Sequence, residues 1–353
     1  MKRLWWTPAM LGLLGLMLAA RPAVAQEDID AIKTTTGTTQ FRGTISAISA
    51  TEVTIQARAI GVKTIPANEI EWLTLAKSPD EVRLAQADFN RANYDAADRR
   101  LKKIEKDKLD EPLVKAQFEY LQALTAARLA QGGQGELLDA AKLLLGYIKG
   151  YPTSYGYYPA NELLGDLLVA MGKYPQAEVY YKELAKAPWP EYKMRAAIAS
   201  GRTQLAQNNF SEAYKTFEGA LTLAGSGARG TEGQVIAATL GKAQALALGG
   251  KVPDGLKLAE EVQGKASTED SDLQARVYNT LGFCYERANR DKDALLAYLH
   301  VDLLYPTLPD AHAEALANLI NLWTKLGRPD RANQARTTLQ TKYPGSRWNP
   351  KKG

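Results

Sequence analysis

The sequence predicts a mainly α-helical protein, an α-solenoid of helix-turn-helix repeats preceded by a small β-barrel-like module. Three observations indicate this fold class. β-Branched residues are concentrated between residues 41 and 75, and helical periodicity replaces them beyond residue 78. Small and aromatic residues then recur at steps of 36 to 43 positions. A helical pattern that repeats at such a period is typical of a solenoid, in which stacked helix pairs build one continuous core.

The N-terminus has the order of a secretory signal. Lys2 and Arg3 precede an apolar run, Leu4 to Ala20, and the small residues 23–25 stand ahead of Gln26. This order predicts a signal peptide over residues 1–25, cleaved after Ala25, and a location in the periplasm or outside the cell. The alternative is an uncleaved anchor, which would then be the chain's only membrane contact.

The charge balance argues against nucleic acid as a partner. The chain has 44 basic and 39 acidic residues, a net charge of +5. Lys2, Arg3 and Arg21 leave with the predicted leader and no acid does, so the remaining 41 bases and 39 acids give a net charge of +2. Nucleic-acid binding requires a clustered basic face, whereas the two signs are interspersed here.

The only cysteine, Cys284, excludes an intrachain disulfide and a thiolate metal cluster. It also excludes a lipoprotein, because no cysteine follows the leader to be acylated.

A linker over residues 26–40 is predicted to precede the β module, which spans residues 41–76. Short runs rich in Ile, Val and Thr, divided by turn residues, predict about four strands in a meander. These runs are 44–48, 53–55, 64–65 and 70–75. Two roles stay open for the module: a docking surface along its exposed strand edge, or a cap on the first helix pair.

Seven repeat units are predicted over residues 78–345. Each second helix centres on a small residue, and these residues are Ala97, Ala140, Ala177, Ala213, Gly255, Ala294 and Ala332. Small residues are required there because a larger side chain would push the crossing helices apart. The tail over residues 346–353 has no apolar period and is predicted to be disordered.

The third unit explains the spacing position by position. Gly165 and Ala177 are predicted at the helix crossing, and Gly172 at the turn, where glycine adopts a left-handed backbone at little cost. Tyr174 and Tyr181 lie seven residues apart, on one helix face, and are predicted to fill the seam to the neighbouring helix.

This pattern resembles the tetratricopeptide repeat (TPR) family, a helix-turn-helix of about 34 residues. The β segment is similar to the SH3-like or Sm-like barrels found beside helical repeats in bacterial envelope proteins. YPTS at 151–154 and YPGS at 343–346 resemble envelope repeat proteins that assist outer-membrane assembly and cell division in Gram-negative bacteria. The resemblance implies a protein-binding or peptide-binding scaffold of the cell envelope.

Reactive motifs are missing from the sequence. His300 and His312 have no ligand spacing around them, and neither a nucleophile elbow nor a phosphate-binding loop is present. The glycine-rich segment 225–230 is flanked by helices and is interpreted as a linker. We therefore expect no catalytic residue, no metal site and no cofactor.

First helices line the concave face of this repeat family, and positions near the conserved glycine point into it. The resulting candidate groove, polar and moderately basic, consists of Arg195, Arg202, Lys242, Arg276, Asn279, Arg287, Asn318, Asn321 and Lys325. Such a groove suits an extended acidic segment or a terminal carboxylate. The alternative is that these residues are only solvated helix faces. The family's clamp for chaperone tails is not reproduced, so no such ligand is predicted.

Three functions follow from the sequence. The first is a non-catalytic scaffold that binds a protein or peptide, and the second is a structural or oligomerising envelope component. The third is association with peptidoglycan or another carbohydrate. For this third function the stacking faces would be Tyr151, Tyr155, Tyr157, Tyr158 and Trp189.

Overall fold

The computed structural model describes residues 29–35, 40–58, 60–225, 231–265, 267 and 269–349. The predicted signal peptide and its cleavage site lie outside the described residues. Within the described part, no helix combines the length and the apolar character that a membrane span requires.

The N-terminal module is an antiparallel sheet of five strands in the described residues. They are β1 (Asp30–Thr34), β2 (Gln40–Ile48), β3 (Glu52–Ala57), β4 (Gly61–Pro66) and β5 (Ile70–Thr74). Their order is β4-β3-β2-β1-β5, so β4 and β5 form the edges.

Strand β1 corrects the prediction of a linker over residues 26–40, because Asp30–Thr34 belong to the sheet. Its residue Ile32 is fully buried and lies opposite Phe41 of β2 and Leu73 of β5. A strand of five residues with one lysine carries too little apolar pattern to be distinguished from a linker by sequence.

Fourteen α-helices follow among the described residues and form seven antiparallel pairs. They are α1 (Asp80–Asn90), α2 (Tyr94–Leu101), α3 (Pro112–Gln131), α4 (Leu137–Gly150), α5 (Tyr157–Ala170), α6 (Tyr174–Leu184), α7 (Pro190–Ala206), α8 (Phe210–Ala224), α9 (Glu232–Leu248), α10 (Val252–Gln263), α11 (Ser271–Arg287), α12 (Asp291–Leu304), α13 (Pro309–Lys325) and α14 (Pro329–Lys342). Odd-numbered helices are the first and even-numbered helices the second members of each pair. The predicted fold class, a helical solenoid after a β module, is confirmed.

The turns inside several pairs depend on residues that accept a positive φ. Gly172 has φ +73° between α5 and α6, and Gly327 has φ +70° between α13 and α14. Asn208 and Asn289, with φ of 61° and 57°, occupy the corresponding turns before α8 and α12. Glycine and asparagine tolerate this left-handed conformation better than other residues, which explains their placement at the helix ends.

The β module packs on the first helices of the array. The carbonyl oxygen of Leu73 accepts hydrogen bonds from the side-chain amides of Gln86 in α1 and Gln117 in α3, at 3.2 and 3.4 Å. The amide of Asn68 donates to the carboxylate of Glu191 at the start of α7. The module therefore covers the N-terminal end of the array and reaches as far as the fourth helix pair.

The array also contacts itself at long range. A Cβ built on Gly133, in the α3–α4 turn, would lie 2.3 Å from the backbone nitrogen of Gly345, beyond α14. The two backbones are therefore in direct contact, which brings the seventh pair of the solenoid back to the second.

Residues 346–349 correct the prediction of a disordered tail, because they form turns that dock on α13. The Arg347 guanidinium lies 2.9 Å from the Asp310 carboxylate, and the Trp348 indole nitrogen donates to the same carboxylate at 3.2 Å. A single tryptophan has no periodicity, so its contacts could not be inferred from sequence. Residues 350–353 lie outside the described residues.

Candidate functional site

The space between the first helices α5, α7, α11 and α13 is called here the central channel. Arg202 of α7 is exposed to solvent. Charged groups from several other elements are near enough to affect the pKa of its guanidinium, and they are Asp166 of α5, Arg276 of α11, Asp310 of α13 and Arg347 of the C-terminal segment. Side chains from pairs three, four, six and seven thus face one another across this space. First helices supply these side chains, except for Arg347 of the C-terminal segment.

Arg195 of α7 is engaged within the array. Its Nε donates to the Glu162 carboxylate of α5 at 3.1 Å, and its second contact to that carboxylate completes a bidentate pair. The guanidinium also lies 4.7 Å from the ring centroid of Tyr192. A bidentate pair of this kind restrains both side chains. Because the Glu162 carboxylate balances its charge, Arg195 has little attraction left for an anionic ligand.

Arg202 differs from Arg195 because no carboxylate in the described residues lies within ion-pair distance of it. The surrounding protein and the positive charge of Arg276 lower the pKa of its guanidinium from the ordinary value. An arginine stays protonated even so. The channel therefore holds a cation whose hydrogen-bond donors are available to a ligand.

Asp166 contributes an acid near Arg202. Partial desolvation and the neighbouring charge of Glu162 raise the pKa of Asp166 to about 6, although its carboxylate still contacts solvent. The Tyr181 hydroxyl donates to this carboxylate at 2.8 Å.

A second polar group lies on α11 and α13. Arg276 forms an ion pair with Asp272, one turn earlier on α11, at 2.7 Å. The buried Asn279 amide donates to the Ala311 carbonyl at 2.9 Å and to the Glu314 carboxylate at 3.2 Å. Its Oδ1 has no hydrogen-bond partner among the described residues. Burial, followed by the charge of Asp310, raises the pKa of Glu314 to about 7.

Lys242 does not belong to the channel. Its ammonium lies 3.0 Å from the Glu218 carboxylate and 4.8 Å from the Tyr214 ring centroid, both on the second helix α8. The assignment of Lys242 to the groove is therefore wrong. It precedes Ala243, which takes the crossing position in α9, so its side chain turns toward the preceding second helix.

The remaining predicted groove residues lie toward the C-terminal ends of α11 and α13. Lys325 forms an ion pair with Asp291 at 2.7 Å, and the Arg287 guanidinium lies 5.3 Å from the ring centroid of Phe283. Asn318 is half-buried and Asn321 exposed. The structure thus brings together Arg195, Arg202, Arg276 and Asn279, and it does not place Lys242 with them.

The channel is mixed in charge, which corrects the predicted moderately basic groove. Carboxylates alternate with its arginines, and they are Glu162, Asp166, Asp272, Asp310 and Glu314. Sequence reasoning missed these acids because carboxylates are common on helix surfaces, and the sequence does not distinguish those that face the channel from the others. One signal was present: Glu162 and Asp166 lie one turn apart and flank Gly165.

The aromatic residues considered as carbohydrate-stacking faces pack between repeats. The hydroxyls of Tyr151, Tyr155 and Tyr157 donate to side chains of the array, Glu119, Gln117 and Glu183 respectively. Tyr158 and Trp189 meet edge to face, with ring centroids 6.1 Å apart. Aromatic packing of this kind stabilises the core and leaves little of each ring face for a sugar.

Two reactive groups in the described part of the chain, Cys284 and His312, are enclosed, whereas His300 is half-buried and stacks on the Tyr278 ring. Cys284 is buried. The His312 ring is held between Asp302 and Tyr343, with 2.7 Å from each ring nitrogen to its partner. No group of His, Cys, Asp and Glu side chains suited to a metal ion occurs in the described residues.

Comparison with solved structures identifies the fold. No family model and no curated protein matches the chain. A tetratricopeptide repeat protein from Parabacteroides merdae aligns over 74% of this chain and 92% of its own, with 15% identity and a TM-score of 0.53. A Rap protein complexed with competence and sporulation factor aligns over 76% of this chain and 77% of its own, with 13% identity and a TM-score of 0.54.

RapI, in its apo form, aligns over 77% of this chain and 98% of its own, with 10% identity and a TM-score of 0.58. At these identities the likeness concerns the fold. The seven helix pairs and their small-residue crossings agree with it, and the chain therefore has the fold of a tetratricopeptide-repeat solenoid, with a β module at its N-terminal end.

Proposed function

We propose that this chain is a non-catalytic scaffold of the cell envelope that holds an extended segment of a partner protein in its central channel. One observation carries the proposal: Arg202 presents an exposed guanidinium, without a carboxylate partner among the described residues, to the central channel. A carboxylate from outside the chain can pair with such an arginine through charge-assisted hydrogen bonds.

The ligand chemistry follows from the neighbours of Arg202. Arg195 and Arg276 already have carboxylate partners, so the channel suits one carboxylate better than a long acidic run. A peptide segment with one acidic side chain or a free C-terminus meets this requirement.

The comparison supports a binding role in general terms. The Rap protein of similar fold was solved in complex with competence and sporulation factor, so a solenoid of similar fold can hold a ligand. The envelope location is supported by the leader-like order of the N-terminal residues, in which a basic start and an apolar run precede a small-residue site.

The test compares capture by three forms of the protein. Wild type, Arg202→Ala and Arg99→Ala are immobilised and exposed to the envelope fraction of the source cells, and retained proteins are quantified by mass spectrometry. Arg99 is exposed on the second helix α2 and serves as the control for loss of one positive charge. We expect a partner that wild type and Arg99→Ala retain and Arg202→Ala loses.

Circular dichroism establishes that Arg202→Ala is folded, and titration of synthetic peptides from the captured partner then locates the bound segment. If Arg202→Ala retained the partner as well as Arg99→Ala does, a channel site at Arg202 would be refuted. If both variants lost the partner equally, the effect would come from the loss of positive charge and binding would not depend on Arg202 in particular.

A further inference from the structure

The buried imidazole of His312 joins the C-terminal segment, residues 343–349, to the elements that it packs against. In the ring, Nε2 lies 2.7 Å from a carboxylate oxygen of Asp302 in α12. Nδ1 lies 2.7 Å from the hydroxyl oxygen of Tyr343, which follows α14. The same hydroxyl lies 3.2 Å from the carbonyl oxygen of Pro306, between α12 and α13. Three short contacts therefore connect four groups in a row.

The number of hydrogen bonds in this row depends on the charge of His312. The Asp302 carboxylate and the Pro306 carbonyl only accept, so Nε2 carries a proton and donates to Asp302. In the neutral ring, Nδ1 is then an acceptor, and the one hydroxyl proton of Tyr343 has to serve both Nδ1 and the carbonyl. In the protonated ring, Nδ1 donates to the Tyr343 oxygen, and the hydroxyl donates to Pro306. Only the protonated ring forms all three hydrogen bonds.

The missing hydrogen bond of the neutral ring is costly because the site is buried. His312 and Tyr343 expose 1% and 8% of their surface, so water does not readily replace the lost partner. The rest of the C-terminal segment depends on the position of Tyr343. The backbone amide of Ser346 and the side-chain amide of Asn349 donate to the Tyr343 carbonyl oxygen, at 3.1 and 3.4 Å. A shift of Tyr343 is therefore passed on to the residues that follow it.

The polar attachments farther along the segment are weaker. Arg347 and Trp348 both bind the Asp310 carboxylate in the first turn of α13, but the ion pair leaves 46% of the arginine and 68% of the aspartate side chain exposed. Exposed ion pairs contribute little to stability and are screened by salt. We infer that protonation of His312 fastens the C-terminal segment to α13, and that loss of this proton loosens it.

Few ionisable groups face the ring of His312. Asp302 faces it from α12 and Tyr343 from the end of α14, and α11 reaches this turn of α13 through the uncharged amide of Asn279. Among the described residues, no other ionisable side chain forms a hydrogen bond or an ion pair with the ring. Burial, followed by the charge of Asp302, raises the pKa of Tyr343, so its hydroxyl keeps its proton at neutral pH. The ring of His312 is therefore the group that changes charge at this contact.

The direction of the pH dependence distinguishes His312 from Glu314, another titrating group near the segment. The docked segment binds the His312 proton more tightly than the released segment does, so docking weakens as the pH rises. Burial, followed by the charge of Asp310, raises the pKa of Glu314 to about 7, and the charge of Arg347 opposes this rise. Ionised Glu314 attracts Arg347, so its titration would strengthen docking as the pH rises. The two groups predict opposite signs.

Release of the segment changes the charge of the central channel. Arg347 is one of the charged groups near Arg202 when the segment is docked. Loss of the His312 proton therefore moves a positive charge away from the channel. This control acts within a single chain and requires no ligand in the channel.

The test follows Trp348 by fluorine nuclear magnetic resonance in the full chain labelled with fluorinated tryptophan. Trp348→Phe assigns its signal, and the docked and released forms differ in chemical shift because the indole leaves the surface of α13. Spectra are recorded between about pH 5.5 and 8, on both sides of the ordinary histidine pKa of about 6.5. The ratio of released to docked segment should rise about threefold to tenfold over this interval, the effect of one hydrogen bond. A ratio that stays constant, or that falls, overturns the inference.

Two variants should make the ratio independent of pH. His312→Gln removes the titrating ring, and Tyr343→Phe keeps the ring but removes the hydroxyl; circular dichroism establishes that each is folded. His300→Gln is the matched control and should retain the wild-type dependence, because His300 is the chain's only other histidine and stacks on Tyr278 outside this row. A pH dependence that survives in either folded variant, or that is lost in His300→Gln, overturns the inference.

Discussion

The ring of Tyr181 fills the space that a side chain at Gly165 would need. A Cβ built on Gly165 would lie 2.4 Å from Cε1 of Tyr181, far inside van der Waals contact. The Tyr181 hydroxyl donates to Asp166 at 2.8 Å, so the ring cannot rotate away without losing this hydrogen bond. The contact joins α5 to α6 and sets how closely the two helices cross.

Gly165→Ala should destabilise the protein. Overpacking of a filled site costs about 1–3 kcal/mol. The 2.4 Å approach places Gly165 in the upper part of that range, above the ~1 kcal/mol gained by removing glycine from a helix interior. We expect a net loss of roughly 1–2 kcal/mol in the free energy of unfolding, measured by urea denaturation.

Gly219→Ala in α8 is the matched control, because nothing lies within 4 Å of a Cβ at that position. It should raise the free energy of unfolding by about 0.5–1 kcal/mol through helix propensity alone. Equal effects of the two substitutions would show that the Gly165 contact does not determine the crossing.

Local steric needs made the fold predictable. Gly165, Ala177 and Gly172 each meet a steric requirement within one helix pair, so the sequence of a single repeat is enough to explain why these residues are small. Strand β1 was missed because its pairing with β2 and β5 depends on residues up to about forty positions away. The solenoid was thus predictable, and the contacts that add the β module to it were not.

Site prediction failed where contacts between different repeats decide. Asp166 and Arg202 lie on neighbouring first helices, and no property of α5 or α7 alone indicates that their charges interact. Lys242 was assigned to the groove by its distance from a glycine, Gly241. That glycine packs on Phe217 of the preceding pair, so the usual alignment is shifted in this unit.

Asp166 should make stability depend on pH. Its pKa is raised from 3.8 to about 6 in the folded protein, chiefly by desolvation and then by Glu162. The folded state therefore binds a proton that the unfolded state has released in this interval. Stability falls as the pH rises from about 4 to 6, and the full penalty remains above that interval.

Asp166→Asn keeps an acceptor for the Tyr181 hydroxyl and removes the ionisation. The free energy of unfolding of the variant, minus that of wild type, should increase between pH 4 and 6 and then level off. Denaturation curves at half-unit steps of pH measure this difference. A difference independent of pH would show that the carboxyl is not perturbed in the folded chain.

Cys284 should be inert to thiol reagents in the folded protein. Burial, followed by the charge of Glu260, raises its pKa to about 12. An ordinary thiol has a pKa of about 8.5, so the thiolate fraction at neutral pH falls by more than about a thousandfold. Reaction with a disulfide reagent, followed by absorbance, should be slower by at least that factor than in denaturing urea. Similar rates in the two conditions would place Cys284 at an accessible surface.

The contact between Gly133 and Gly345 should control how tightly the solenoid closes. A Cβ on Gly133 meets the Gly345 backbone at 2.3 Å, so Gly133→Leu has to separate the α3–α4 turn from the C-terminal segment. We expect a larger radius of gyration by small-angle X-ray scattering and faster amide deuterium exchange in residues 343–349.

Backbone strain has to be separated from loss of the contact, since Gly133 has φ +77°. Gly172→Leu provides the control, because Gly172 has φ +73° with nothing within 4 Å of a Cβ. Both substitutions incur the left-handed penalty of about 1–2 kcal/mol, but only Gly133→Leu displaces a neighbouring backbone. Equal scattering and exchange for the two variants would mean that the ends of the array do not meet in solution. An increase for Gly133→Leu alone assigns the closure to this glycine pair and connects it to the docking of Trp348 on Asp310, which should loosen in the same variant.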